Sequence, residues 1–317
     1  MPMTLDVLTL GEPLVALMAV EGGSLADAGT FRRHVAGAET NLAIGLARLG
    51  VRAGIVARVG DDGLGTAILR RLRAEGVDVD GVTVEAGAAT GLLVRERRAF
   101  GPSEVLYRRT GSAGSRLSPA DLEGSGGLRG ARWLHVTGIT PALSASALAA
   151  VEAAIDAAKA ADATVSFDVN LRRRLWSEAE AAPVLQRLAR RADVVLGDPD
   201  ELALASGTDD AVAGLLAAGV RTVVTKLGAD GVRARTTDGE DLQVAAPPVR
   251  AVDPVGAGDA FCAGFIAARL DGQGVETALR WGVGCGAAVV SVDGDIDGLP
   301  TRPELERLLQ AGADTIR

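Results

Sequence analysis

Short apolar runs alternate with longer helical patterns along almost the whole chain, and this rhythm constrains the fold more than any other feature. The runs at 7–10, 54–59, 133–137, 165–169, 194–196 and 222–225 read as strands. The segments 41–49, 66–75, 144–161, 178–191 and 210–218 between them read as helices. Strands and helices in alternation build a parallel sheet covered on both faces, so the expected fold class is α/β with a doubly wound, mainly parallel sheet. Two stretches break the rhythm. A strand pattern at 14–20 follows the first strand with no helix between, and 91–97 with 105–109 reads as a hairpin closed by 99–103. These segments are expected to form a small β-sheet over a ligand cleft; edge strands of the main sheet are the alternative. No internal repeat, low-complexity linker or second core appears, 124–127 being only a short connection. Residues 1–317 are therefore expected to form a single domain.

The net charge of −8, with no basic arm or stripe, argues against a nucleic-acid partner. Cys262 and Cys285 are the only cysteines, too few for a disulfide framework, and a reducing cytoplasm is the expected location. No basic segment leads into an apolar signal core, and no run approaches about 18 apolar residues, so no membrane partner is expected. Lys159 and Lys226 are the only lysines among 33 basic residues. Lys226 stands at the end of a strand before Gly228 and Gly231, at a plausible nucleotide edge, with chance survival in an arginine-rich chain the alternative. His34 and His135 lie far from both cysteines in sequence, which leaves no credible zinc site or Cys/His nucleophile. Neither a G-x-x-x-x-G-K-S/T loop nor a G-x-G-x-x-G after the first strand is present.

Asp253-Pro254-Val255-Gly256-Ala257-Gly258-Asp259 sits before the apolar helical run 260–270. The amides of Gly256, Ala257 and Gly258 are then free donors at a helix start, where the macrodipole favours an anion. Asp259 stands beside them, placed to take a proton from an incoming hydroxyl; an ordinary helix cap is the alternative. Ligands of open parallel sheets gather outside the carboxyl ends of the strands. Asn170 and Arg172 follow one strand, Thr225, Lys226, Gly228 and Gly231 another, and Asp198 to Glu201 a third.

The 253–259 segment resembles the second signature of the ribokinase-like (PfkB) carbohydrate and nucleoside kinases. The resemblance implies Asp259 as catalytic base, Gly256, Ala257 and Gly258 as an anion hole, and ATP with Mg²⁺ as cofactors. It also implies a small β lid built from about 12–36 and 89–112, and a monovalent-cation site, of the kind that takes K⁺, at Asp253. Asp198-Pro199-Asp200-Glu201 is similar to the family's N-x-x-E element, with Asp198 in place of Asn, and implies that Glu201 organises Mg²⁺ indirectly. Helix capping by Asp198 or Asp200 is the structural alternative. Asn170, Arg172, Thr225, Lys226, Gly228, Gly231, Gly256 and Gly258 fall on the nucleotide side.

Ala36-Gly37-Ala38-Glu39-Thr40-Asn41 resembles the G-G-A-E-x-N variant of 2-keto-3-deoxygluconate kinases, with Ala36 replacing the first Gly. Segments 107–114, 134–143 and 168–176 look like the corresponding parts of those enzymes, so the likeness covers nearly the whole chain. It implies that Gly37, Ala38, Glu39, Asn41, Tyr107, Arg109 and Arg172 bind a sugar acid, with Asp259 at its reacting hydroxyl. Guanidinium groups suit this, because they grip a carboxylate through two parallel charge-assisted bonds. Arg95, Arg97, Arg98, Arg108, Arg173 and Arg174 read as solvated surface charge. Leu93 stands where the variant often has Tyr, and Val283 where a late-helix Asn is common. The expected activity is ATP-dependent phosphorylation of 2-keto-3-deoxygluconate at its C6 hydroxyl, by a base that needs little perturbation. Rivals are a kinase for fructose, ribose or the galactonate epimer, and a silent sugar-acid sensor. Pairing of lid edges between subunits makes a homo-oligomer the expected assembly.

Overall fold

Thirteen strands form among the described residues of the computed structural model, 4–97 and 104–314. They are β1 (Val7–Leu10), β2 (Leu14–Gly22), β3 (Phe31–Ala36), β4 (Ala53–Gly60), β5 (Val82–Glu85), β6 (Gly91–Arg97) and β7 (Val105–Arg108). The second half supplies β8 (Trp133–Thr137), β9 (Thr164–Asp168), β10 (Val194–Gly197), β11 (Thr222–Lys226), β12 (Val232–Thr236) and β13 (Asp241–Val244). Nine build one sheet in the order β13-β12-β11-β10-β9-β8-β1-β4-β5, parallel from β5 to β11 and closed by an antiparallel β11-β12-β13 edge. The order reverses around β1, which lies between β8 and β4, so the carboxyl ends on either side of it open onto a crevice.

Both faces of this sheet are buried, and successive side chains feed opposite layers. Ile55 and Val56 belong to different apolar clusters, as do Val194 and Val195, and Val223 and Val224. One layer packs under the helices Ala38–Arg48, Ala257–Leu270 and Val275–Val290; the other under Ala145–Ala160, Glu178–Ala189 and Pro199–Ser206. Polar residues start several of these helices: Ser144 accepts from the amide of Ala147, and Ser177 forms a capping box with Glu180.

The strands outside the parallel pattern do form a separate small sheet, in the order β3-β2-β6-β7. β2 and β6 run parallel, and both outer pairings are antiparallel. Its inner face carries a small apolar cluster of Leu14, Ala16 and Ala36 with Met18 and Leu93. The expected closing loop at 99–103 lies outside the described residues. Two boundaries differ from the sequence expectation in ways that matter for the cleft. The helix expected at 41–49 begins at Ala38, because Gly37 at φ 120° turns the chain early; a Cβ there would lie 2.6 Å from the carbonyl of Glu12. β9 ends at Asp168, leaving Asn170 in a turn at φ 38°. β3, β5, β12 and β13 carried too many charged or exposed residues to stand out as apolar runs.

Helices Ala257–Leu270 and Val275–Val290 meet at Gly264, where a Cβ would lie 2.6 Å from the carbonyl oxygen of Trp281. A backbone atom cannot swing aside as a side chain can, so overpacking outweighs the roughly 0.5–1 kcal/mol that Ala gains in a helix interior. Gly264→Ala should therefore lower stability by about 1–3 kcal/mol. Denaturant midpoints at unchanged slope check this; a midpoint at or above the wild-type value would mean that the two helices separate without cost.

Candidate active site

Helix Ala257–Leu270 starts at Gly256, whose left-handed backbone (φ 81°) lets the loop turn against the carbonyl of Asp295. A Cβ at Gly256 would lie 2.6 Å from that oxygen, so the turn requires glycine. Among the described residues the amides of Gly256 and Gly258 donate to no backbone carbonyl, whereas that of Ala257 leans on Pro254 O at 3.3 Å. The open cradle is thus narrower than the sequence suggested: Gly256 and Gly258 hold it, and Ala257 is partly engaged. Gly258 leaves it clear of side-chain atoms, with Lys226 Nζ 3.6 Å from where a Cβ would stand.

Asp259 occupies the third position of this helix rather than its cap. Its Oδ2 accepts a 2.8 Å hydrogen bond from Asn41 Nδ2, which ties the base candidate to the helix after β3. The carboxyl group is pushed up to about 7, chiefly by burial; Asn41 and Arg172 pull it down, while Asp168 and Asp295 push it further up. The expectation of a little-perturbed base is corrected accordingly: a half-buried acid crowded by two other carboxylates holds its proton harder. Asn41 is buried, and its Oδ1 has no partner, so an acceptor remains for a ligand hydroxyl.

One cavity brings together all the residues assigned to sugar binding. Gly37, Ala38, Glu39, Asn41, Tyr107, Arg109, Arg172 and Asp259 line it, along with Gly256, Leu93 and Asp295. Their roles differ. Glu39 is buried, held through Oε1 by the hydroxyls of Thr137 (2.6 Å) and Thr140 (2.8 Å), and burial raises its pKa. Arg109 is buried too, with Nε 2.7 Å and Nη2 2.5 Å from Glu12 Oε2, and its guanidinium lies 5.7 Å from the ring centre of Tyr107. Arg172 is exposed and has no hydrogen bond or ion pair to any described residue. Glu12 was missed from sequence, although Gly11-Glu12-Pro13 directly follows β1, where ligand groups are expected. It also accepts from Ser112 Oγ.

The residues assigned to the nucleotide lie after β9, along and after β11, and at the start of helix Ala257–Leu270. Lys226 Nζ donates to Asp168 Oδ1 at 2.7 Å; burial alone would lower the lysine, but this buried carboxylate, with Glu201, holds it well above the usual lysine range. Lys226 keeps a fifth of its side-chain surface open on the side of Gly258. Thr225 pairs with Gly197 across the strands, and Gly228 lies in the turn after β11. Gly231 serves that turn, where a Cβ would lie 2.1 Å from Val244 O. Asn170, buried, stands between Asp168 and Arg172.

Asp198 and Glu201 form a reciprocal capping box on helix Pro199–Ser206, at 2.8 and 2.9 Å, the structural alternative for Asp198. Glu201 Oε1 further accepts from the amide of Leu171 at 2.8 Å. Burial and Asp168 raise the pKa of Glu201. Among the described residues no three His, Cys, Asp or Glu side chains converge to hold a metal ion. His135 is buried in β8, 2.8 Å from Ser166 Oγ, and burial lowers it to about 4, so it stays a neutral strand residue. Val283 is a buried residue of helix Val275–Val290.

Asp253 departs most from expectation. Both of its oxygens accept from Arg95 of β6, at 2.7 Å from Nη1 and 3.1 Å from Nη2. Arg95 is thus no solvated surface charge, and the carboxylate assigned to a monovalent cation holds a guanidinium.

Among described residues, no helix is long and apolar enough to cross a membrane. The chain is 40% identical over 314 residues to a 2-dehydro-3-deoxygluconokinase of Thermoproteus tenax, covering 97% of this chain and 95% of that one. An E. coli protein with a provisional ribokinase II assignment, solved with ATP and Mg²⁺, superposes with a TM-score of 0.89 at 30% identity, covering 97% of this chain and 99% of that one. A fructokinase of Vibrio cholerae O395, solved as a double mutant with fructose, ADP and a potassium ion, gives 0.83 at 27% identity, covering 96% and 99%. Residues 4–302 match the model of the pfkB family carbohydrate kinases, and the chain belongs to that family.

Proposed function

We propose that this enzyme transfers the γ-phosphoryl group of ATP to the C6 hydroxyl of 2-keto-3-deoxygluconate, the compound also called 2-dehydro-3-deoxygluconate. The observation that carries the proposal is a single cavity with a tethered carboxylate beside open amides and an unpaired arginine in its wall. Asp259, oriented by Asn41, accepts the hydroxyl proton as the phosphoryl group arrives. The Gly256 and Gly258 amides meet the charge that develops on the phosphoryl oxygens, and Lys226 adds a cation beside them. Glu201 would hold a nucleotide-bound Mg²⁺ through water, and that ion would supply neutralisation of phosphate charge.

A neutral sugar offers an exposed guanidinium only uncharged hydroxyl oxygens, whereas a sugar acid offers a carboxylate that matches its fork. Arg172 takes that carboxylate, and Arg109 keeps Nη1 for the ligand while Glu12 fixes the rest of the group. The small sheet acts as a lid, because Leu93, Tyr107 and Arg109 reach the cavity from its strands and from the residue after β7. Val20, Leu106 and Tyr107 leave apolar surface exposed on the same sheet, which supports pairing of two copies there.

Release of ADP from ATP and Mg²⁺ should rise with 2-keto-3-deoxygluconate and stay at background with fructose or ribose. The galactonate epimer, tested alongside, settles the configuration of one hydroxyl. Arg172→Ala should raise KM for the sugar acid by about ten- to a hundredfold, the value of a charge-assisted bond of roughly 1.5–3 kcal/mol. A variant with unchanged KM would remove Arg172 from the substrate. Asp259→Asn should cut kcat by about 10²–10⁴-fold with little change in KM; near-normal turnover would contradict its role as base.

The rate should also report the titration of Asp259. A carboxyl group at about 7 is protonated and idle below that pH, so kcat/KM rises with pH through about 7 and then levels. Asn41 stabilises the ionised form, so Asn41→Ala should move this limb to higher pH. A pH profile that keeps its midpoint in Asn41→Ala would show that the limb belongs to another group.

A further inference from the structure

The residues around Asp253 do not fit a monovalent cation. Its two oxygens are occupied by Arg95 Nη1 and Nη2, and Oδ1 also accepts from the amide of Val255 at 3.2 Å. A guanidinium carries donors only, so it cannot join the oxygen shell of a metal ion. A second positive charge at the same carboxylate would also be repelled at short range. The pair is well protected from water: 5% of the Asp253 side chain and 20% of that of Arg95 are exposed.

The pair joins two parts of the molecule. Arg95 belongs to β6, in the middle of the small sheet, where it pairs with Met18 and Val105. Asp253 opens the loop that ends in the cradle of Gly256 and Gly258, and its carboxylate bends that loop through Val255 N. Asp295, whose carbonyl seats Gly256, is a second buried acid, pushed up chiefly by burial and further by Asp253, while Arg95 pulls it down. Arg95 is thus a cation that acts on both of these acids, bonded to one and near the other.

We infer that the Arg95 guanidinium stands in for a bound monovalent cation, so this enzyme neither binds nor requires potassium at Asp253. The V. cholerae fructokinase differs in being solved with a potassium ion. Only the rate measurement below rests on the proposed substrate; the binding measurement needs no substrate, so the two ideas fail separately.

The test is thermal unfolding of the ligand-free protein in potassium chloride and in tetramethylammonium chloride at equal ionic strength. An ion that binds the native state alone raises Tm with its concentration. Wild-type Tm should be the same in both salts. Arg95→Ala exposes the carboxylate, and potassium should then raise Tm where tetramethylammonium does not. With ATP, Mg²⁺ and the sugar acid, wild-type turnover should be equal in the two salts, and Arg95→Ala turnover should be restored in part by potassium. A potassium-specific rise in wild-type Tm overturns the inference, as does a folded Arg95→Ala protein indifferent to potassium. Should Arg95→Ala fail to fold, the wild-type comparison decides alone.

Discussion

At the start of helix Ala257–Leu270 the amides of Gly256 and Gly258 donate to no backbone carbonyl of the described residues, where Gly256 adopts a left-handed turn against the carbonyl of Asp295. The body of that helix is buried from Ala260 to Ala268 and locked to its neighbour at Gly264, so the donors are held in place before any ligand arrives. Preorganised donors of this kind contribute most where charge develops, since nothing has to be rearranged at that moment. The other groups of the cleft are placed around this cradle. Asn41 fixes Asp259 beside it, Lys226 stands over Gly258, and Arg95 anchors the loop that leads into it.

Charge balance sorts the arginines and the single nearby lysine. Glu12 takes Arg109, Asp253 takes Arg95, and Asp168 takes Lys226. Each pairing offsets the desolvation that an isolated buried ion would suffer, and each leaves its cation oriented rather than mobile. Arg172 is the exception, exposed and unpaired at the cavity wall, and an unpaired cation there suits an acidic ligand better than a neutral one. Burial, with the neighbouring carboxylates of Asp168 and Asp295 adding to it, has the opposite effect on Asp259, which is pushed up to about 7. A proton acceptor poised there works near neutral pH with more driving force than an ordinary carboxylate.

Much of this was legible in the residues. The doubly wound sheet followed from alternating apolar and helical patterns, because strands buried on both faces leave continuous apolar runs at 133–137 and 222–225. The cradle was legible because only small residues admit close approach to backbone amides. What escaped was pairing. Whether an arginine is solvated or held depends on the partner that the fold brings from far along the chain, and Arg95 finds Asp253 across 158 residues. Glu12 escaped for the same reason, since its partners Arg109 and Ser112 lie about a hundred positions away. β3 escaped because its two arginines mask the alternation, and the antiparallel β12-β13 pair because its exposed face is charged.

The most direct test of the account is a crystal structure with 2-keto-3-deoxygluconate and a non-hydrolysable ATP analogue. The account predicts the C6 hydroxyl within hydrogen-bond reach of Asp259, about 2.6–3.2 Å, the terminal phosphate on the Gly256 and Gly258 amides, and the sugar carboxylate on Arg172. A sugar bound with its carboxylate away from Arg172 and no hydroxyl near Asp259 would contradict it.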